Sequence, residues 1–310
     1  MQLAVLVNPR ARGVRRDPGL AARLAAVVGA RGEVITTSPE RLPEVCRTLC
    51  ARGAALVALC GGDGTGQATI TELLRAYRAG GRAAPSLALL RGGTVNTVAR
   101  NLGIIGDPAR ILASITLALD RGLALPRITQ PILSVNGRHG FLFAAALGAR
   151  FLELYYEAAE PGPARAAYLA ARVSSSALVG GALATRLFRP AGVAITVDED
   201  EPVYLSARLL VASTVVDVGV GMRICPRATA LPDRFQLIAS GLAPSEMARQ
   251  LPAVLAGRAL VGTPHLDRLA ARALLQFDSD EPYTLDGELF RAREITIALD
   301  APLSIVRAPT

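Results

Sequence analysis

The chain has 310 residues, 51% of them hydrophobic, and a formal net charge of +8; its basic side chains are arginines, since the sequence contains no lysine. The missing lysine excludes P-loop and Schiff-base chemistry, which both need that side chain. Two histidines and four cysteines without metal-ligand spacing give no zinc site. An aromatic content of 4% supplies few base-stacking residues, so we expect no nucleic-acid partner.

The first third of the chain alternates short apolar runs with helical patterns. Repeated strand–helix units predict a parallel sheet covered on both faces, so we expect an α/β nucleotide-binding domain over residues 1–125. The predicted strands are 3–7, 33–37, 55–60 and 86–90, and the predicted helices cover 20–28, 42–50 and 70–77.

After residue 126 the pattern changes to hairpins. Two apolar runs flank the turn sequence NGRHG at residues 136–140, and further strands are predicted at 193–197, 203–213, 235–239 and around 286–287. Helical patterns lie between them, at 165–187 and 244–275. We therefore expect residues 126–310 to form a β-rich, sandwich-like domain with helical insertions.

The sequence predicts a protein without a membrane span. The start MQLAVLVNP is too short and lacks the basic residues of a signal peptide. The most apolar stretch, residues 166–188, is interrupted by Arg172 and Arg186. We expect a cytoplasmic protein whose arginine excess favours contact with an anionic membrane surface.

The segment GGDGT, residues 61–65, directly follows a predicted buried strand. Parallel sheets bind ligands beyond the carboxyl ends of their strands, and glycines let a ligand approach the backbone closely. The helix that follows presents free N–H groups, which favour phosphate. Asp63 is a candidate for holding Mg²⁺ or accepting a proton. The alternative is a tight turn in which Asp63 only caps a helix.

Three further segments carry polar groups of the same kind. GGTVN follows the next strand and offers Gly93, Thr94 and Asn96 for phosphate or ribose; Asn8 ends the first strand at the same sheet edge. The late segment DGE contains Asp286 and Glu288 between two apolar runs. On turn statistics alone, Asp286-Gly287 is an ordinary hairpin turn.

Taken in order, NP, GGDGT, GTVNTVAR, ICPRA with a later Asp, and DGE resemble the bacterial lipid kinases of the diacylglycerol kinase catalytic-domain family, which includes sphingosine kinases. GGDGT alone is shared with NAD kinases and phosphofructokinases. The resemblance implies an NAD kinase/phosphofructokinase-like first domain that binds ATP. It also implies a second domain that faces a lipid substrate, and transfer of the γ-phosphoryl group to a lipid hydroxyl with Mg²⁺ as cofactor.

The resemblance also implies roles for individual residues. Glu288 corresponds to the proton acceptor of the family. A structural Mg²⁺ would be held by the carbonyls of Ala230 and Phe235 and by the side chain of Asp233. The nucleotide contacts carry over to Thr36, Thr94 and the loop residues Gly62, Asp63, Gly64, Thr65, Gly66, Gln67 and Ala68, and we add Gly61, Asn8, Gly93 and Asn96 on chemical grounds.

The chain departs from the family pattern at two carboxylates. Gln67-Ala68 replaces an Asn-Glu pair, and Thr97 replaces an Asp. These changes leave a second hypothesis open, an inactive nucleotide- or lipid-binding regulatory homologue. A third, an NAD kinase, needs an Asn-Glu pair well after GGDGT, which the sequence lacks. The acceptor lipid and the formation of a homodimer also stay open.

Overall fold

The computed structural model of the protein describes residues 3–93, 95–157 and 162–309. The chain divides into two compact units, which are described separately. Unit 1 contains Met1–Gln130 and Ala301–Thr310, and unit 2 contains Pro131–Asp300. The sequence predicted that the second domain would run to residue 310. The last ten residues instead belong to unit 1, because they supply a strand to its sheet.

The elements follow the chain in this order. Those before residue 121 are β1 (Leu3–Val7), α1 (Arg12–Arg16), α2 (Leu20–Val28), β2 (Gly32–Thr36), α3 (Leu42–Arg52), β3 (Leu56–Cys60), α4 (Asp63–Ala79), β4 (Ser86–Leu89), α5 (Thr97–Asn101) and α6 (Pro108–Asp120). Those after it are β5 (Arg127–Val135), β6 (Arg138–Gly140), β7 (Leu142–Ala146), α7 (Leu147–Tyr156), α8 (Pro163–Leu178), α9 (Ala182–Leu187), β8 (Ala191–Val197), β9 (Val203–Ala207), β10 (Leu209–Ser213), β11 (Phe235–Ser240), α10 (Pro244–Leu255), β12 (His265–Ala270), β13 (Arg272–Leu285) and β14 (Glu288–Val306).

The sheet of unit 1 is parallel. Its strands lie in the order β2, β1, β3, β4, and the end of β14 pairs with β4 through Ile305 and Val306. The strands β1, β3 and β4 are buried along their whole length, as expected for a sheet covered by helices on both faces. Since the strands are parallel, the loops after β1, β3 and β4 all leave from one edge.

Local sequence explains where several helices begin and end. The Asp107 carboxylate accepts hydrogen bonds from the amides of Ala109 and Arg110, and Pro108 occupies the first position of α6, a favourable combination at a helix start. Helix α3 ends at Gly53, whose left-handed conformation closes its last turn.

Unit 2 is rich in antiparallel strands. They lie in the order β12, β11, β10, β7, β13, β14, with β8 and β9 added next to β13 and with β5 paired to β6. One core is made only of strand side chains, among them Phe143, Phe235 and Ile295. The opposite face of β10 packs against α8, α9 and α10. The predicted fold class, a parallel α/β part followed by a strand-rich part with helical insertions, is confirmed.

One predicted helix is partly wrong. Residues 244–275 were expected to be helical, but α10 ends at Leu255 and residues 265–270 form β12, which pairs with β11. Gly257 adopts a positive φ shortly after the helix, and Pro264 directly precedes β12. These two residues interrupt the helix, although the leucines of the segment have helical spacing.

Candidate phosphate-binding loops and the Asp-Gly-Glu turn

The loops after β3 and β4 pack backbone against backbone. A Cβ atom on Gly92 would lie 2.7 Å from the amide nitrogen of Gly61 and 3.0 Å from the carbonyl carbon of Cys60. A Cβ atom on Gly93 would overlap the Cα atom of Gly62. Only glycine fits at these positions, because any side chain would push the two loops apart. The glycines of both motifs therefore bring the β3–α4 and β4–α5 loops together.

Helix α4 begins directly after this contact, and its first amides point out of the helix. Its first residue is Asp63. Its N-cap residue is Gly62, which has no side chain that could cap the helix. The first amides of a helix have no partner within the helix, and the helix dipole makes this end attractive to anions. A Cβ atom on Gly66, in the next turn, would meet nothing within 4 Å. The start of α4 thus combines a partial positive charge with open space.

The Asp63 side chain does not face this end of its own helix. Its carboxylate accepts hydrogen bonds from the amides of Thr97 (2.9 Å) and Val98 (3.1 Å), the first residues of α5. Burial raises the pKa of the Asp63 carboxyl above its usual value, and the hydrogen bonds from Thr97 and Val98 offset part of that effect. Asp63 therefore caps the neighbouring helix α5 rather than the helix that it begins.

Two asparagines hold the loops in place. The Asn8 side chain donates to the Thr65 hydroxyl at 2.8 Å and accepts from the Arg10 amide at 2.9 Å, so it joins the end of β1 to the start of α4. Asn96 adopts a left-handed conformation and exchanges two hydrogen bonds of 3.0 Å with the backbone of Gly93. Both predicted contact residues thus fix the shape of the loops.

The remaining predicted nucleotide contacts differ in their exposure. Thr36 is exposed at the end of β2, and Gly64 and Ala68 are partly exposed. Gln67 is buried, and its side-chain amide donates to the Thr71 hydroxyl of its own helix at 3.2 Å. The Gln67 side chain therefore contacts its own helix in this structure. Thr94 lies outside the described residues.

In unit 2, the Asp-Gly-Glu turn joins β13 to β14. The Asp286 carboxylate is buried and accepts hydrogen bonds from the amides of Phe141 and Leu142 at 2.9–3.0 Å. Glu288, two residues on, is exposed. The buried carboxylate fixes the turn, and the Glu288 side chain next to it is open to solvent.

A tyrosine that the sequence did not single out contacts this turn. The Tyr156 hydroxyl, at the end of α7, donates to the carbonyl oxygen of Gly287 at 2.9 Å. The turn is thus held on one side by Asp286 and on the other by Tyr156. Since Tyr156 and Gly287 lie 131 positions apart in the chain, no local sequence signal could have paired them.

The predicted structural Mg²⁺ ligands are Ala230, Asp233 and Phe235. The Asp233 carboxylate is exposed and forms an ion pair with the Arg234 guanidinium at 2.9 Å. Among the described residues, no group of three His, Cys, Asp or Glu side chains could hold a metal. The loop as it stands does not fit a divalent cation, because the guanidinium already neutralises its one carboxylate.

Comparison with known proteins supports the resemblance that the motifs indicated. Residues 2–125 match the family model of the diacylglycerol kinase catalytic domain. The predicted family resemblance is confirmed for this part of the chain. The match contains GGDGT and GTVNTVAR, whose packing is described above. No curated protein matches the sequence.

Solved structures resemble the chain over its whole length. The crystal structure of a diacylglycerol kinase from Bacillus anthracis strain Sterne superposes with a TM-score of 0.68 at 15% identity, covering 99% of this chain and 97% of that one. A second structure from the same organism gives a TM-score of 0.71 at 16% identity, covering 99% and 96%. At this identity the likeness establishes the fold.

Among the described residues, no helix is both long and apolar enough to cross a bilayer.

Proposed function

We propose that the chain is an ATP- and Mg²⁺-dependent lipid kinase that transfers the γ-phosphoryl group to a lipid hydroxyl. The observation that carries this proposal concerns two helices that begin at the same sheet edge. A carboxylate caps the start of one of them, and the start of the other has no side-chain cap. Asp63 neutralises the start of α5, whereas no side chain of the N-cap residue caps the start of α4 beside the packed glycine loops. This arrangement directs a phosphate group to α4 rather than to α5.

In the proposed reaction the chain mainly positions charge. The amides at the start of α4 and in the glycine loops bind the phosphates of ATP. This mode of phosphate binding does not require a lysine. Bound Mg²⁺ would supply neutralisation of the phosphate charge, as phosphoryl transfer generally requires. Glu288 accepts the proton of the attacking lipid hydroxyl, a role supported by its exposure and by the rigid turn that carries it.

One observation favours a second candidate, a nucleotide-binding module without turnover. Both oxygens of Asp63 are engaged by backbone amides, and the two family carboxylates are replaced at Ala68 and Thr97. A module of this kind would keep the glycine loops and bind ATP. The third reading, an NAD kinase, gains support only from the shared GGDGT motif.

We also propose that helix α8 contacts an anionic membrane surface, which would place the protein peripherally on the cytoplasmic side. The helix contains no acidic residue. Its exposed face carries Tyr168 and, just beyond its end, Val179, which are 54% and 81% exposed. Arg165 and Arg172 lie 5.6 and 5.7 Å from the Tyr168 ring centre. An exposed apolar face with arginines and no acid suits the lipid interface.

The test is incubation of the protein with γ-labelled ATP, Mg²⁺ and a mixed lipid extract, with NAD in a parallel reaction. Label in the lipid fraction that requires both the protein and Mg²⁺ is the expected result. ATP binding without transfer of label would establish the second candidate. Label in NADP would establish the third.

A further inference from the structure

Arg91 stands where the second glycine loop leaves the sheet. In the parallel pairing of β3 with β4, Leu89 lies opposite Leu59, and the amide of Leu90 donates to the carbonyl of Leu59 at 2.8 Å. Continuing this register places Arg91 beside Gly61, the first residue of GGDGT. Arg91 therefore belongs to the edge at which the two glycine loops meet.

The backbone of Arg91 is strained. Its φ is +44°, in the left-handed region that residues with a side chain rarely occupy. Asn96, at the other end of the same loop, has a φ of +52°, but asparagine tolerates this conformation. Glycine would relieve the strain at position 91, as it does in many loops. Strain of this kind persists where the surrounding structure enforces it, often at functional sites.

The side chain of Arg91 is partly buried, and one of its donors lacks a partner. Its Nε atom is buried without a hydrogen-bond acceptor. Within the described ranges, none of the ion pairs involves Arg91, whereas Arg52 and Arg75 of the same unit each pair with a glutamate. A buried donor without an acceptor lowers stability, so an arginine here needs an explanation. An anionic ligand at this edge would supply the acceptor.

We propose that Arg91 binds phosphate. Its guanidinium supplies charge-assisted hydrogen bonds to the polyphosphate of a nucleotide held by the glycine loops. In a chain without lysine, an arginine is the side chain that can add a full positive charge to such a site. This inference rests on the proposed nucleotide site and adds to it a residue that GGDGT and GTVNTVAR do not contain.

Three single substitutions test it by calorimetric titration with inorganic tripolyphosphate, Mg-ATP and adenosine at fixed ionic strength. Arg91→Gln should weaken binding of tripolyphosphate and Mg-ATP by about tenfold or more, since hydrogen bonds to charged groups are worth that much. Any affinity for adenosine should stay as in the parent. Arg47→Gln, at an exposed position of α3, removes the same net charge and should leave all three affinities unchanged.

Arg91→Gly separates a ligand-binding role from a structural one. Glycine suits the positive φ and removes the unpaired donor, so this variant should unfold at a higher temperature than the parent and still lose polyphosphate affinity. Parental polyphosphate affinity in Arg91→Gln would overturn the proposal. So would equal losses in Arg91→Gln and Arg47→Gln, or a lower unfolding temperature in Arg91→Gly. If the parent binds neither tripolyphosphate nor Mg-ATP, the proposed nucleotide site itself fails.

Discussion

The carboxylate of Asp63 accepts a hydrogen bond from the backbone amide of Thr97 at 2.9 Å, so the motif GGDGT holds the start of the helix in GTVNTVAR. The two motifs are therefore one structural unit. Burial raises the pKa of Asp63 despite its amide partners, which means that the ionised form is held at some loss of stability. A carboxylate kept under these conditions is a good candidate for a functional role.

We predict that Asp63→Asn separates activity from stability. Because the folded-state pKa of Asp63 is raised, its ionised form lowers the free energy of unfolding at neutral pH. This destabilisation decreases as the pH falls through the folded-state pKa, and it is absent below the unfolded-state pKa. The uncharged variant avoids that loss but leaves the amide of Thr97 or Val98 facing an NH₂ group, so at neutral pH it should be destabilised less than Asp286→Asn. Turnover should fall by about 10²-fold, since a shift of the loops by about 1 Å has that effect. Chemical denaturation at several pH values measures the free energy of unfolding, and steady-state kinetics measures turnover. A fully active variant that is destabilised as much as Asp286→Asn would contradict the prediction.

Glu288→Gln should lower turnover by about 10²- to 10⁴-fold, the usual contribution of a general base. ATP affinity should stay nearly unchanged, because the residue is assigned to the acceptor hydroxyl. Steady-state kinetics beside nucleotide titration give the two quantities. Full activity would remove Glu288 from the reaction, and loss of ATP binding would assign it a different role.

Asp286→Asn should affect stability more than chemistry. The buried carboxylate accepts amide hydrogen bonds from Phe141 and Leu142, and its replacement leaves at least one amide facing an NH₂ group. An unsatisfied buried donor lowers the free energy of unfolding by about 1–3 kcal/mol. Urea denaturation measures the change. A variant with parental stability but lost turnover would show that Asp286, rather than Glu288, takes part in the reaction.

Tyr156→Phe should lower kcat by roughly 2- to 10-fold without changing KM for ATP. The lost hydroxyl, worth about 1 kcal/mol, no longer positions the turn that carries Glu288. The same substitution in a Glu288→Gln background should have no further effect, which a double-mutant cycle detects. Tyr204→Phe is the matched control: its exposed hydroxyl donates to Asp278 instead. An equal loss in both backgrounds would show that Tyr156 acts independently of Glu288.

Combined replacement of Arg165 and Arg172 by Gln should weaken binding to anionic vesicles by roughly tenfold or more, at about 1 kcal/mol per arginine near the surface. Co-sedimentation at low ionic strength measures it, and added salt should weaken parental binding. Val179→Ser should weaken binding as well, whereas Val203→Ser, a comparable exposed position in β9, should not. Equal binding of the parent to neutral and anionic vesicles would contradict the proposed contact.

The fold could be predicted largely because its signals are local. The strands β1 and β3 are short apolar runs that end in Asn-Pro and in glycine, and β1 was predicted with the bounds that the structure shows. The strand β12 was missed because the leucines of its segment also fit a helical period. Its pairing with β11, a contact distant in sequence, decides between the two.

The sequence predicted that the two glycine loops would meet at one sheet edge, but not which contacts hold them there. Glycine repeats after two strands indicated a phosphate-binding edge, and the structure brings them together. That Asp63 would cap α5 depends on a contact 34 positions away, and the strain at Arg91 depends on how the loop closes. Neither the cap on α5 nor the strained backbone of Arg91 corresponds to a recognisable sequence pattern.

The strand β14 has a consequence for how the polypeptide acquires its structure. Its residues Ile305 and Val306 complete the parallel sheet beside β4, and the Arg307 amide donates to the carbonyl of Pro126 at 2.9 Å. During synthesis, β4 therefore lacks its neighbouring strand until more than two hundred further residues have been made. A polypeptide of residues 1–130 alone would expose the apolar edge of β4, and an exposed strand edge of this kind is prone to aggregation. Fusing residues 301–310 to it through a flexible linker should yield a soluble nucleotide-binding fragment.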